Sequence, residues 1–248
     1  MVVVPTYNEL ENIQKLIPEL LALDLGRATR LTVCVVDDNS PDGTGVFVEQ
    51  IAKTNDRVEV IRRPGKLGLG TAHIAGMRYA ISRGVDGVLT MDADFSHHPR
   101  YIPAMMAAFP GTDLVVGSRY VPGGAVLYPL WRRLLSRGAN TFARITLGLG
   151  IHDCTGAFRL YRPRVLQSID LDHLFSNGYS FLIEMIFMVQ QQGWKMREVP
   201  IVFEDRIYGS SKISRNEIIK AIYTCSRLLA RRLMGSQKRS DTAIARSK

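Results

Sequence analysis

The sequence predicts one α/β domain built on a mostly parallel central sheet. Short apolar runs alternate with stretches of helical periodicity from residue 2 to residue 117, as in successive βαβ units. Three of the runs end in acidic or aromatic residues, which gathers those residues at the carboxyl edge of an open sheet, where ligands bind. No internal repeat or low-complexity linker interrupts the 248 residues, which favours a single domain.

Taken in order, Val2–Val4 is a first buried strand. Leu10 to Leu23 has helical periodicity, with Asn8 and Glu11 in capping-box spacing. Leu31 to Val36 is a strand ending at Asp37-Asp38, and Ser40-Pro41-Asp42-Gly43 is turn chemistry. A helix near 44–53, a strand at 58–62, a Gly-rich loop at 65–70, a helix at 71–83 and a strand at 86–91 follow. Beyond Asp94 come a helix near 99–109 and a strand at 113–117. The second half is less regular, with helices at 130–147, 180–192 and 214–234 and short strands at 157–161 and 197–203. From residue 235 the chain is polar, basic and aperiodic, which predicts a disordered tail over 235–248.

Composition, 46% hydrophobic and 22% charged, is that of a globular protein. No apolar run reaches the ~18–20 residues that span a bilayer; the best, Phe181 to Val189, carries Glu184. Met1-Val2-Val3-Val4-Pro5 lacks the basic leader of a secretory signal. Cys34, Cys154 and Cys225 are odd in number and far apart, which excludes a disulfide framework and a four-cysteine zinc site and suits a reducing cytosol. The net charge of +9 is unevenly spread: Arg227 to Lys248 holds seven Lys/Arg against one Asp, leaving about +3 for the remainder. Charge confined to the C-terminus, without a base-reading motif, does not point to nucleic acid.

The chemistry concentrates at strand ends. Met91-Asp92-Ala93-Asp94 closes the run Val88-Leu89-Thr90. Two carboxylates there are hard oxygen ligands for Mg2+ or Mn2+, which bind through one or two carboxylates plus substrate phosphates. Pro5-Thr6-Tyr7-Asn8-Glu9 follows the first strand and offers an aromatic face and an acid. Asp37-Asp38 follows the second, where like charges need a cation or hydroxyls between them. Gly65-Lys66-Leu67-Gly68-Leu69-Gly70 lacks the hydroxyl residue a P-loop needs after Gly-Lys, and His73 stands where a dinucleotide fingerprint has Gly. It reads as a loop feeding a helix N-terminus. His97-His98 is more often structural than ligating, while Ser96 could hold a metal-bound water. Arg119 follows a strand end. Arg132, Arg133 and Arg137 share one helix, on which Arg132 and Ser136 are four apart and so on one face. Arg206 and Lys212 flank Tyr208-Gly209-Ser210-Ser211, a mobile-loop signature. A metal with scattered cations suits two phosphate groups.

These motifs, with Lys66-Leu67-Gly68-Leu69-Gly70-Thr71-Ala72, Gly117-Ser118-Arg119-Tyr120, Ser136-Arg137-Gly138-Ala139-Asn140 and Asp153-Cys154-Thr155-Gly156-Ala157-Phe158-Arg159, resemble the family 2 glycosyltransferases of GT-A fold. More narrowly, over about residues 2–225, they resemble the dolichol- or polyprenol-phosphate mannose synthases. The resemblance implies mannose transfer from GDP-mannose to a dolichyl or polyprenyl phosphate with inversion, dependent on Mg2+ or Mn2+. It implies that Pro5, Tyr7, Glu9, Val36 and Asp38 hold the guanosine, that Asp92 and Asp94 meet the donor diphosphate, and that Ala93 belongs to the donor site. Asp92, Asp94 and Ser96 become the metal residues, although some relatives carry Gln at the position of Ser96. Arg119, Arg206 and Lys212 neutralise phosphates; Arg119, Arg132 and Ser136 receive the acceptor phosphate; Asp92, Asp94 and Arg119 are the catalytic set. An acceptor phosphate is already anionic, so no general base is required; Glu184 and Asp153 are the only candidates for one. Many relatives carry C-terminal membrane spans, and this chain resembles the short form. A polyprenyl-phosphate glucosyltransferase using UDP-glucose and a non-catalytic sugar-nucleotide-binding protein are the competing readings.

A lipid acceptor requires a route to the membrane. On a helical projection of 216–234, Lys220, Thr224, Arg227 and Arg231 fall opposite Ile218, Ile222, Cys225, Leu229 and Leu233. That pattern predicts a helix lying in the headgroup layer, at the cytosolic face of a membrane. The alternatives are a helix packed on the domain, or one packed on a small membrane-spanning partner subunit.

Overall fold

The computed structural model describes residues 1–127, 129–176, 178–204 and 219–233. In chain order the elements are β1 (Val2–Thr6), α1 (Leu10–Ala22), β2 (Val33–Asp37), α2 (Thr44–Ala52), β3 (Val58–Arg62), α3 (Leu69–Ser82) and β4 (Val88–Thr90). After a short 3-10 turn (Pro99–Tyr101) come α4 (Ile102–Ala107), β5 (Leu114–Ser118), β6 (Ala125–Val126), α5 (Leu130–Leu147), β7 (Arg159–Tyr161), α6 (Pro163–Gln167), α7 (Ser180–Gln191), β8 (Met196–Pro200) and β9 (Val202–Phe203). A further helix, α8, runs through the described residues 219–233.

Seven strands form one sheet in the order β3-β2-β1-β4-β7-β5-β8, and β6 and β9 form a small second one. In the large sheet β7 lies antiparallel between β4 and β5, and the other pairs are parallel. The antiparallel insertion leaves β4 and β5 pointing the same way. The carboxyl ends of β1, β2, β4 and β5 therefore share one edge, as the mostly parallel sheet read from the sequence requires.

Alternation along the strands divides the core into two layers. Val3, Cys34, Val36, Val88, Leu114 and Val116 face α3 and α7. Val2, Val4, Val33, Val35, Leu89 and Val115 face α1 and α4. Because both faces are covered, the strands are nearly continuous in apolar residues. Ile13, Leu16, Ile17 and Leu20 are buried along one side of α1, each stabilising the fold by about 1.5–3 kcal/mol. Helix α3 lies so close to β1 that a Cβ at Gly76 would stand 2.2 Å from Val3 Cγ1.

Several local expectations are corrected. The Asn8–Glu11 capping box does not form: Asn8 takes φ 59°, and Glu9 precedes α1 without a side-chain cap. The N–H groups of Asn8, Glu9 and Leu10 donate instead to Ser40 Oγ, Thr44 Oγ1 and Asp42 Oδ2. The loop after β2 thus caps the helix after β1, tying together two loops at the carboxyl edge of the sheet. The expected helix at 99–109 is a 3-10 turn and a short α4, since Pro99 and Pro103 each start a new turn. The expected strand 197–203 breaks at Ile201. Its N–H donates to the Ser118 carbonyl, and the chain then crosses from β5 to pair with β6.

His73 in α3 is fully buried with neither ring nitrogen hydrogen-bonded within the protein, stacked on Phe181. Burial, helped by the nearby Arg159 charge, pushes its pKa down to about 3. The unfolded chain then binds a proton that the folded chain refuses between about pH 6.5 and 3. Its contribution is fully present above pH 6.5 and falls on acidification, by about 1.4 kcal/mol per pH unit. Urea unfolding at pH 7 and pH 5 should show the loss, and His73→Leu should flatten the slope by about one proton.

Candidate active site

The Asp92–Asp94 loop is held from beneath. Asp94 is buried at 3% exposure, and its Oδ1 accepts the Ser96 N–H and the Ser96 hydroxyl. This tight turn puts Phe95 at φ 62°, a strained conformation for a bulky residue and one that collects at functional sites. The Asp92 N–H donates to His97 Nδ1 at 3.1 Å, so the neutral ring carries its proton on Nε2. His97 is stacked on Phe158 and edge-on to Phe203, and burial pushes its pKa down to about 3. It is therefore a neutral spacer that orients Asp92. Among the described residues no group of three or more His, Cys, Asp and Glu side chains is gathered to hold a metal. Two carboxylates at a strand end instead fit Mg2+ or Mn2+ whose other places go to phosphate oxygens and water.

The aromatic and acidic residues after β1 and β2 come together on the same edge. Asp37 is fully buried and structural: it accepts from Thr6, the Ser40 N–H and the Ser40 hydroxyl, with Arg62 at 3.3 Å. Asp38 pairs with Arg63 at 2.9 Å. Burial pushes its carboxyl up, against the pull of Arg63. Lys66 Nζ lies 4.3 Å from the centre of the Tyr7 ring. The repulsion expected between the adjacent aspartates is thus relieved by one arginine each. Arg63 was missed in the sequence because it stands in no motif that names its partner, and Lys66, which stands in the Gly-rich loop, was given no role there.

Arg119, just beyond β5, forms a fork with Asp153: Nε to Oδ2 and Nη2 to Oδ1, both 2.7 Å. Its backbone N–H also donates to Asp153, and Nη2 reaches the Thr155 hydroxyl. Burial alone would raise the Asp153 carboxyl; Arg119, by charge and hydrogen bonds, more than reverses this and holds it low. Fully buried Arg159 props the same loop, donating to the carbonyls of Cys154 and Leu182. Arg119, Asp92, Arg132 and Ser136 all line one cavity of about 460 Å³. Its remaining walls are mostly apolar, including Leu134, Leu135 and Phe142 of α5, Leu182 and Ile183 of α7, and Ile222 of α8.

The profile of glycosyl transferase family 2 matches residues 1–170. This chain belongs to that family. It is 44% identical over 230 residues to the polyprenol monophosphomannose synthase of Mycolicibacterium smegmatis, covering 90% of this chain and 84% of that protein. It is 40% identical over 232 residues to the undecaprenyl-phosphate mannosyltransferase of Micrococcus luteus, covering 92% of each. Among solved structures, glucosyl-3-phosphoglycerate synthase of Mycobacterium tuberculosis, bound to Mn2+, UDP and glucosyl-3-phosphoglycerate, superposes with a TM-score of 0.64 at 19% identity, over 92% of this chain and 79% of that one. Mannosyl-3-phosphoglycerate synthase of Rubrobacter xylanophilus does so at 0.64 and 21% identity, over 95% and 74%. At such identities the likeness is one of fold, and it agrees with the GT-A architecture.

In this family 2 glycosyltransferase, the helix face read from Arg132 and Ser136 is the domain-facing side of α5. Tyr7 is partly exposed at the edge, Pro5 and Glu9 are half-buried, and Val36 and Ala93 are buried beneath it. Arg206 and Lys212 lie outside the described residues. Asp153 is corrected as a base candidate: its carboxylate is occupied by Arg119 and the Gly156 N–H. Glu184 is corrected likewise, because its carboxylate accepts the Ser176 N–H. On α8 the expected two-sided partition fails at Thr224, which is buried beside Cys225 and Leu228, with its hydroxyl 3.2 Å from that of Ser176. Arg227 and Arg231 lie over the Phe175 ring, and Arg232 donates to the Leu147 carbonyl. The described part of α8 is thus packed on the domain.

Proposed function

We propose that this glycosyltransferase transfers mannose from GDP-mannose to the phosphate of a dolichol or other polyprenol, with inversion and with Mg2+ or Mn2+ bound. The observation that carries this is the cavity that combines Asp92, Arg119, Arg132 and Ser136 with apolar walls from three helices. A phosphate on an apolar tail matches both linings, and the names of the two relatives support the same acceptor class. Pro5, Tyr7, Glu9, Val36 and Asp38 form the guanosine end, and Ala93 completes the donor site. Asp92 and Asp94 would hold the divalent ion, with Ser96 orienting Asp94. Bound there, the ion supplies positive charge against the donor diphosphate. Arg119, held by Asp153, offers a fixed cation between donor and acceptor phosphates, and Arg132 and Ser136 grip the acceptor phosphate. Its anionic oxygen attacks the anomeric carbon from the side opposite GDP, and the bond to the leaving β-phosphate oxygen breaks. No side chain has to take a proton, consistent with the engagement of Asp153 and Glu184 elsewhere.

The test is a donor panel with a short polyprenyl phosphate, with and without Mn2+ or Mg2+. Transfer from GDP-mannose that requires cation and acceptor phosphate is expected. Preference for UDP-glucose would overturn the donor while keeping the acceptor. Donor binding without transfer would favour a binding protein.

The same reading brings the enzyme to the cytosolic face of a membrane. Among the described residues no helix is long and apolar enough to cross one. Helix α5 instead exposes Leu130, Trp131, Leu134 and Ile145, at 61%, 67%, 61% and 76%, among exposed Arg133, Arg137 and Arg144. Ile219, Ile222, Tyr223 and Leu233 of α8 are exposed too. Apolar side chains with Trp and Arg suit a helix in the headgroup layer, each basic residue favouring anionic lipid by about 1 kcal/mol. Trp131→Glu/Ile145→Glu should weaken binding to anionic vesicles by at least about tenfold, read by flotation. Unaltered flotation would move the contact elsewhere, and absence of binding by the parent protein would favour a membrane-spanning partner subunit on this face.

A further inference from the structure

Helix α5 is anchored to the domain by very little. Only Asn140, Ala143 and Leu147 of its residues are buried, and apolar contact is non-directional, so Ala143 and Leu147 alone do not select a register. Asn140, at 2% exposure, is the buried polar group. Its Nδ2 donates to the Ser136 carbonyl at 3.0 Å and to the Thr155 hydroxyl at 2.9 Å. Its Oδ1 accepts the Cys154 N–H at 2.9 Å. Thr155 Oγ1 also accepts from Arg119 Nη2 at 2.8 Å. One amide therefore joins α5 to the loop that holds the site arginine. Arg132, Ser136 and Asn140 follow one another at intervals of four residues, on one helix face. A slip of α5 by a single residue would turn that face by about 100° and take the amide away from the Thr155 hydroxyl and the Cys154 N–H.

We propose that Asn140 is a positioning residue: its amide locks α5 in register on Cys154–Thr155, so that Arg132 and Ser136 enter the cavity that Arg119 lines. This rests on the acceptor-phosphate role given above to Arg132 and Ser136. Asn140 itself does not touch substrate. Its hydrogen bonds add to the contact of the Ser136 and Tyr120 hydroxyls and to the bond from Arg232 to the Leu147 carbonyl in specifying one arrangement of α5, a use to which satisfied buried polar networks are suited.

The experiment compares the parent enzyme with Asn140→Ala, Asn140→Asp, Thr155→Val and the Asn140→Ala/Thr155→Val double variant. It reads the KM for a short polyprenyl phosphate, the KM for GDP-mannose, and hydrogen exchange along the chain. Asn140→Ala should raise the acceptor KM about tenfold and leave the donor KM within about twofold, with faster exchange confined to α5. Asn140→Asp, which keeps the oxygen facing the Cys154 N–H, should recover part of the loss. Thr155→Val also removes an acceptor of Arg119 Nη2, so the double variant should fall short of the sum of the two single effects, because both changes cut the Asn140–Thr155 connection. Equal rises in both KM values, or faster exchange throughout the sheet, would show a merely structural residue and overturn the proposal. So would an unchanged acceptor KM with unchanged α5 exchange. If the parent enzyme transfers nothing to polyprenyl phosphate, the acceptor reading fails by itself, and exchange confined to α5 still decides whether Asn140 sets the register.

Discussion

Replacing Asp94 by Asn should lower cation-dependent turnover by about a thousandfold while leaving the thermal midpoint nearly unchanged. The size follows from the several kcal/mol of charge stabilisation that a bound metal contributes, each 1.36 kcal/mol being tenfold in rate. The choice of Asn follows from the structure. Asp94 is buried, and its Oδ1 receives both the N–H and the hydroxyl of Ser96. Asp94→Ala would leave those donors unpaired, at about 1–3 kcal/mol for a buried group, and would mix instability with lost chemistry. Asn keeps the accepting oxygen and removes only the charge. Initial rates over a Mn2+ titration, with thermal melts alongside, separate the two effects. Parent-like turnover of the Asn variant in EDTA-treated buffer would remove the metal from Asp94.

The second large effect is on stability. Asp153→Ala should destabilise the protein by about 3–5 kcal/mol, the usual consequence of leaving a buried charge without its partner. Asp153 is fully buried and Arg119 is 8% exposed, so water screens the pair little. The double variant Asp153→Ala/Arg119→Met should regain much of the stability, since no charge is then stranded, but should remain inactive. That divergence separates holding Arg119 from folding the domain. Urea unfolding of the parent and the two variants measures it; a loss below about 1 kcal/mol for Asp153→Ala would place the pair among surface ion pairs. The pH dependence has a definite sign. The folded pKa of Asp153 is depressed, so its contribution is present above the ordinary carboxylate value near 3.8 and is lost as pH falls through the lower folded value. The loss due to His73 comes earlier, between about pH 6.5 and 3. Acid unfolding should therefore begin with the histidine and end with the aspartate.

Strand order marks where local reading stops. Nothing in Arg159-Leu160-Tyr161 announces that β7 runs antiparallel between β4 and β5, because a short buried strand has the same composition in either direction. Yet that insertion keeps Asp92 and Arg119 on one edge. Ile201 is similar: its sequence continues a strand, and only the competition between β5 and β6 for its neighbours divides that strand in two.

The sequence by itself determined the α/β class, the gathering of strand-end acids at one sheet edge and the shared helix face of Arg132 and Ser136, since strand periodicity, Asp-x-Asp at a strand end and an i, i+4 helix spacing are short-range properties. The tertiary structure alone decided what each charge does. Asp37 and Asp38 are adjacent, yet one is tied within its own loop and near Arg62, the other to Arg63. Asp153 looked like a base and is the partner of Arg119, 34 residues away. Asn140 ended a short motif and proved to be the amide between α5 and the Cys154–Thr155 loop. In each case the role is set by which group lies across a buried contact, where low dielectric makes an unpaired charge or amide costly. Chain spacing carries no record of such a neighbour.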